Sequence, residues 1–165
     1  MPAEKVKFLE ENQSFLNWWL VLILVAIIGT SLYMYFSRPA SGTLLVNIGT
    51  GIACLVVFFL ASAKLKLHID SEKVALNYFP LVWQEKQWKW EEIEAARVRK
   101  YAPLADFGGW GVRRRGDTVA YTVSGSEALE LTFKDGRTTV LIGTNRAKEI
   151  QEILKKLEVR ATSSN

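Results

Sequence analysis

Cysteine and histidine each occur once in the 165 residues, as Cys54 and His68. A lone cysteine excludes an intrachain disulfide and any metal centre built on two thiolates of one chain. Charge of one sign is also scarce: the net charge is +4, and from Lys64 onward 18 Lys and Arg stand against 14 Asp and Glu. That excess suits an anionic membrane surface. It is too small for nucleic acid, and no basic-plus-aromatic motif accompanies it. No internal repeat or low-complexity tract is present. The most telling absence is local: Leu44–Ala63 holds no charged residue over 20 positions.

What fills that stretch, and the one before it, is apolar. Phe15–Phe36 and Leu44–Ala63 are joined by the short polar connector Ser37–Thr43. About 20 apolar residues in helical conformation cross the hydrocarbon of a bilayer. Trp18 and Trp19 stand near one end of the first segment, and Tyr33, Tyr35 and Phe36 near the other. Amphipathic rings at both ends are what the two membrane–water interfaces favour. The apolar core is too long for a signal peptide, and no small-x-small cleavage pattern follows it. The expectation is a transmembrane helical hairpin over 15–63, with spans 15–36 and 44–63. Gly49 and Ala53 are four apart, as are Thr50 and Cys54, a spacing that lets helix backbones approach closely. Gly29 and Ala26 are the expected partners in the first helix, and Gly49 with Ala53 also suits self-association into a homo-oligomer. Cys54 reads as a small packing residue.

Both termini of a two-span chain lie on one side. Lys5, Lys7, Lys64, Lys66 and Lys73 fall on that side and Arg38 on the other, five against one. This bias puts the N-terminal tail (1–14) and the C-terminal domain (64–165) in the cytoplasm, in a two-pass protein of the cytoplasmic (inner) membrane. The tail, with Val6, Phe8 and Leu9 among mixed charges, fits a short surface helix or a frayed end equally.

After Lys64 the pattern changes to alternation. Leu65, Leu67 and Ile69 point one way and Lys66, His68 and Asp70 the other, the signature of a half-buried strand. Ser71-Glu72-Lys73 turns the chain into Val74–Phe79, and Pro80 ends or bends that strand. Leu81–Trp90 loops toward another edge, and Trp90-Glu91-Glu92 makes one turn before a strand near Ile93–Tyr101 that carries Arg97, Arg99 and Lys100. Ala102–Gly109 is a loop. Trp110–Arg114, Val119–Ser124, Ala128–Phe133 and Arg137–Gly143 are further strands, separated by Gly116-Asp117, Ser124-Gly125 and Asp135-Gly136; Asp-Gly between alternating runs is a strong hairpin signal. A helix capped by Thr144 or Asn145 then runs to about Glu158, with Ile150, Ile153, Leu154 and Leu157 as its stripe. The expected class is an α+β membrane protein: a helical hairpin, then about seven antiparallel strands as a barrel or sandwich, closed by a C-terminal amphipathic helix.

In this order of elements the chain resembles bacterial membrane proteins in which two N-terminal spans precede a pleckstrin-homology-like (PH-like) domain. The residues carrying the resemblance are the strand pair after the second span, Trp90-Glu91-Glu92-Ile93, Phe107-Gly108-Gly109-Trp110-Gly111-Val112-Arg113, Tyr121–Gly125, and Leu141-Ile142-Gly143-Thr144-Asn145 leading into the helix. The resemblance implies a fold and leaves the ligand open. Phosphoinositide-binding members carry a basic first hairpin loop; here Ser71-Glu72-Lys73 is short and contains an acid.

No catalytic constellation emerges, and neither a cofactor nor a small-molecule substrate is implied. His68 has neither a nucleophile nor an orienting acid set by spacing. Glu91, Glu92 and Glu94 read as a solvated turn, since no His or Asp completes a metal set. Two candidate interaction surfaces remain. Arg113, Arg114 and Arg115 form the densest basic run, with Arg113 and Arg115 on one strand face and Arg114 opposed, suited to lipid headgroups or an acidic partner. Phe107 and Trp110 flank the glycines, with Trp110 read as a core plug in preference to an exposed anchor. Trp83, Trp88 and Trp90 pose the same alternative. The leading expectation is a non-enzymatic, membrane-anchored module that binds a protein partner at the cytoplasmic face. The alternative is a domain that senses anionic lipid through Arg113–Arg115 and interfacial Trp residues.

Overall fold

The computed structural model describes residues 7–15, 18–37, 43–136 and 138–163. Lys5, Arg38 of the connector and Arg137 lie outside the described residues. The chain is α+β, with nine strands and four α-helices in the described residues. It divides into two units, 14–63 and the remainder.

In the first unit, α1 (Trp18–Ser37) and α2 (Thr43–Ala61) pack against each other. Within α1, Leu20–Ser37 is long and apolar enough to cross a membrane, with a mean hydropathy of 2.1. The corresponding stretch of α2, Leu45–Ala61, is apolar but shorter. Leu24, Ile27, Ser31 and Met34 of α1, and Val46, Thr50, Ala53, Cys54 and Val57 of α2, are half-buried; nearly every other described position is exposed. The Ser31 and Thr50 hydroxyls share a 3.1 Å hydrogen bond. Gly29, Ala26 and Gly49 are exposed, and a Cβ added at either glycine would meet nothing within 4 Å. Neither glycine of the expected set Gly29, Gly49 and Ala53 is therefore at the contact between α1 and α2 within one chain. Only Ala53 of that set, with Thr50 and Cys54, is half-buried. The Phe15 amide donates to the Ala63 carbonyl at 3.0 Å, so the two ends of this unit are tied together.

The second unit has two open sheets. One has the order β1 (Lys7–Ser14), β2 (Lys64–Asp70), β3 (Lys73–Phe79), β4 (Val82–Lys89). A 3-10 turn at Trp90–Glu92 leads to β5 (Ile93–Lys100). Helix α3 (Pro103–Phe107), β6 (Gly111–Arg115), β7 (Thr118–Thr122), β8 (Glu127–Phe133), β9 (Thr139–Gly143) and α4 (Ala147–Ser163) follow. The second sheet runs β5-β8-β9-β7-β6.

Three expectations need correction here. Residues 7–14 are neither helix nor frayed end but β1, a strand of the first sheet. The strands among the described residues number nine, not about seven, and they make two sheets that do not close into one barrel. They are not all antiparallel, because β7 and β9 pair in parallel. The parallel pair arises because the β6–β7 hairpin is interposed in sequence between β5 and β8 yet joins the sheet beyond β9.

The alternation in β2 has the physical outcome it predicts. Leu65, Leu67 and Ile69 stand opposite Tyr78, Leu76 and Val74 of β3, and all six are fully or almost fully buried. Each such burial contributes about 1.5–3 kcal/mol against exposure. Leu129, Leu131, Ile142 and Ile150 supply buried side chains from the other sheet and α4. The Tyr78 hydroxyl donates to the Thr122 carbonyl at 2.8 Å, linking the two sheets. Helix α4 packs on β5 and β8, with Ile150, Ile153 and Leu154 buried and Leu157 half-buried, the expected stripe.

A buried carboxylate holds β1 to the β9–α4 junction. Glu11 accepts hydrogen bonds from the Thr144 hydroxyl (2.6 Å), the Asn145 amide (2.8 Å) and the Gln13 side chain (3.0 Å). Gln13 also donates to the Gly143 carbonyl at 2.8 Å, and Arg146 donates to the Glu10 carbonyl at 3.0 Å. The carboxylate sits where the α4 dipole favours negative charge. Glu11→Ala leaves these donors without their acceptor and should lower stability by about 3 kcal/mol. Thr144→Val should cost about 1–2 kcal/mol. Denaturant titration of the full chain in detergent micelles checks both; equal, negligible losses would show that β1 is held by its sheet pairing alone.

Candidate functional site

The glycines around Trp110 set the geometry of the first candidate surface. Gly108, Gly109 and Gly111 all have positive φ (70°, 124° and 112°), a region that side chains with a Cβ rarely enter. They let the chain end α3 and swing into β6. Phe107 packs on the buried cluster of Tyr101, Ala120, Ala128 and Leu141, its ring meeting Tyr101 edge-on with centroids 6.3 Å apart. Trp110 is half-buried and donates its indole N–H to the Gly125 carbonyl at 3.2 Å. Both aromatic rings therefore brace the β5–β6 connection.

The arginines are divided by the sheet register. At one level Arg97, Glu130, Leu141, Ala120 and Arg113 stand side by side across the sheet, hence on one face. Glu130 is buried and pairs with Arg97 at 2.6 Å and with Arg99. Arg115, on the Arg113 face, donates to the Ala105 and Asp106 carbonyls at 3.2 and 2.7 Å, near the end of α3. Arg114 points to the opposite face. Arg113, Arg114 and Arg115 are all exposed, but they do not form one patch. The Arg97–Glu130–Arg99 bridge is a structural centre absent from the sequence reading; Arg97 and Arg99 two apart on a strand are its only local sign, and its partner is named only by the β5–β8 register.

His68 does have an acid beside it: its Nε2 lies 3.6 Å from Asp70 Oδ2. The other Asp70 oxygen accepts the Glu72 and Lys73 amides at 2.7 and 2.8 Å, which makes Asp70 a buried turn residue and not an outward-facing one. Glu91, Glu92 and Glu94 are exposed, and among the described residues no group of three or more His, Cys, Asp or Glu side chains is arranged to hold a metal ion.

A cleft of about 420 Å3 lies between β4 and the β7–β9 part of the other sheet. Trp88, Val119, Tyr121 and Phe133 supply its apolar lining, and Lys86 and Asp135 its charged rim. Trp88 and Phe133 lie 6.3 Å apart, ring to ring. Strand β4 ends its sheet, so its far edge pairs with no other strand among the described residues. Trp90 is not part of this lining; its indole donates to the Asp70 carbonyl at 2.9 Å.

No protein-family model matches the chain, and no curated protein matches it. The class is that of an α+β protein with a paired apolar helical unit placed in sequence between the first two strands of a β-domain.

Burial also marks the tyrosines. Tyr78, Tyr101 and Tyr121 all ionise above the usual value of 10.0, because burial disfavours the phenolate; for Tyr78 the neighbouring Tyr101 adds to this and Arg113 opposes it. In the unfolded chain these groups release protons near pH 10.0, while the folded chain keeps them. The unfolded state then binds fewer protons, so stability is complete below that pH and falls as pH rises beyond it. Thermal unfolding followed across this range should show the fall, and Tyr78→Phe should make it shallower. A melting temperature that does not change with alkali would refute the assignment.

Proposed function

We propose that the protein is a two-span protein of the cytoplasmic membrane whose PH-like domain is a non-enzymatic protein-binding module. The observation that carries this reading is the place of the helical unit. It leaves the β-domain after β1, returns at β2, and is tied at its ends by the Phe15–Ala63 bond. Its exposed surface is apolar almost throughout, from Val21, Val25 and Leu32 to Leu55 and Phe58. Such a surface is at home in lipid. A helix that crosses once and a second apolar helix that comes back to the same point make two crossings; Lys7, Lys64, Lys66 and Lys73 then favour the cytoplasm for the domain.

The PH-like reading draws on strand order. Without the helical unit and the insertion of α3 and the β6–β7 hairpin, the remaining strands and α-helices are β1 to β4, then β5, β8 and β9, then α4: seven strands and a C-terminal helix. Protein binding is supported by the cleft beside β4. An extended segment can add to the open β4 edge through main-chain hydrogen bonds while its alternate side chains enter the apolar floor.

Two experiments test the reading. In a Cys54→Ala background, single cysteines at Asn12 and Ser126 should react with a membrane-impermeant maleimide only after the cytoplasmic side is opened, and one at Ala40 before it. Labelling of all three from one side would refute two spans. A photo-crosslinking residue at Lys86 should give a discrete protein adduct in native membranes, and the same residue at Asn77, on the other face of the first sheet, none. Equal or absent adducts would refute partner binding in the cleft.

A further inference from the structure

We infer that the β3–β4 tip docks into the interfacial layer of the bilayer through Phe79 and Trp83. This rests on the two-span reading above and adds a second point of membrane contact to it. Trp83 is 83% exposed and Phe79 51% exposed, and their rings meet edge to face with centroids 5.7 Å apart. Tyr78 pairs with Val82, so Phe79 and Trp83, the next residues along, share the outer face of the sheet. An exposed aromatic pair of this size costs free energy in water and gains it at a lipid headgroup boundary, where amphipathic rings collect.

The register says which end of the sheet this is. Phe79 stands directly opposite Lys64, and Lys64 follows Ala63 at the close of the helical unit. Lys64 and Lys66, two apart on β2, are both exposed on that same face. Aromatic rings with lysines beside them match the two layers of an anionic interface: rings among the upper acyl chains, ammonium groups among the phosphates. At the other end of β4, Lys89 is exposed and pairs with Lys73. About 3.3 Å of rise per residue puts it roughly 20 Å along the strand from the tip. A tip seated at the interface thus leaves that end, with the polar groove of Lys66, His68, Asp70 and Glu85 running toward it, progressively in water.

The test uses the full chain with Cys54→Ala, reconstituted in nanodiscs containing anionic and zwitterionic phospholipid. Nitroxide labels are placed singly at Phe79→Cys, Trp83→Cys, Lys89→Cys and Ile28→Cys, and collision with oxygen is compared with collision with a water-soluble nickel chelate. The ratio of oxygen to nickel accessibility should be severalfold higher at 79 and 83 than at 89, and highest at 28. A high ratio at 28 with equal, low ratios at 79, 83 and 89 overturns the tip proposal and leaves the spans intact. A low ratio at 28 overturns the spans themselves. Labels at 79 and 83 that are shielded from both reagents mean that protein, not lipid, covers the tip, and the proposal fails.

Discussion

A buried carboxylate near the start of the chain and a helix start near its end are joined by hydrogen bonds through Glu11, Gln13, Thr144 and Asn145, and much of the architecture depends on that junction. Strand β1 is cut off from its sheet neighbour β2 by the whole helical unit. Closing a flexible loop of about 50 residues costs on the order of 3 kcal/mol of entropy. Two stiff helices folded back on each other, with Phe15 bonded to Ala63, bring the ends together and reduce that cost. The Glu11 contacts then hold β1 at its far side. The domain is in this sense completed by residues that come before its apparent beginning at Lys64.

The arginines show how sheet register decides what a charge does. Read along the chain, Arg113-Arg114-Arg115 is a dense basic run. In the sheet, alternation separates Arg114 from the other two, and Arg115 is engaged by carbonyls at the end of α3. The strongest arginine cluster lies instead around Glu130, where Arg97 and Arg99 compensate a carboxylate that burial would otherwise leave unpaired. The tryptophans divide in a similar way. Trp90 and Trp110 each donate to a backbone carbonyl, Trp88 lines a cleft, and Trp83 is exposed at a strand end.

Legibility varied with the range of the interaction. Strands β2 and β3 could be read because Leu65, Leu67 and Ile69 alternate with polar groups and the whole signal lies within seven residues. The stripe of α4 and the turn at Trp90–Glu92 were legible for the same reason. Strand β1 was not, because Lys7–Ser14 has no clean alternation, and Glu11 and Gln13 are buried polar residues with partners 130 or more positions away. In the helices, spacing fixes which small residues share a face, not which face meets the neighbour. Gly49 and Ala53 are four apart, but Ser31 and Thr50 carry the contact.

By itself, then, the sequence determined the features that come from local periodicity and composition. These are an apolar helical unit, alternating strands with glycine turns, an amphipathic last helix, and the absence of any cysteine-built centre. Only the tertiary structure decided the membership of β1, the parallel pairing of β7 with β9, the division into two open sheets, the Glu130 and Glu11 centres, and the exposure of Phe79 with Trp83 beside Lys64. The physical reason is that hydrophobic period is a property of neighbours along the chain. Register, the partners of buried charges and the order of strands depend on contacts between distant segments, whose closure and desolvation terms no local pattern encodes.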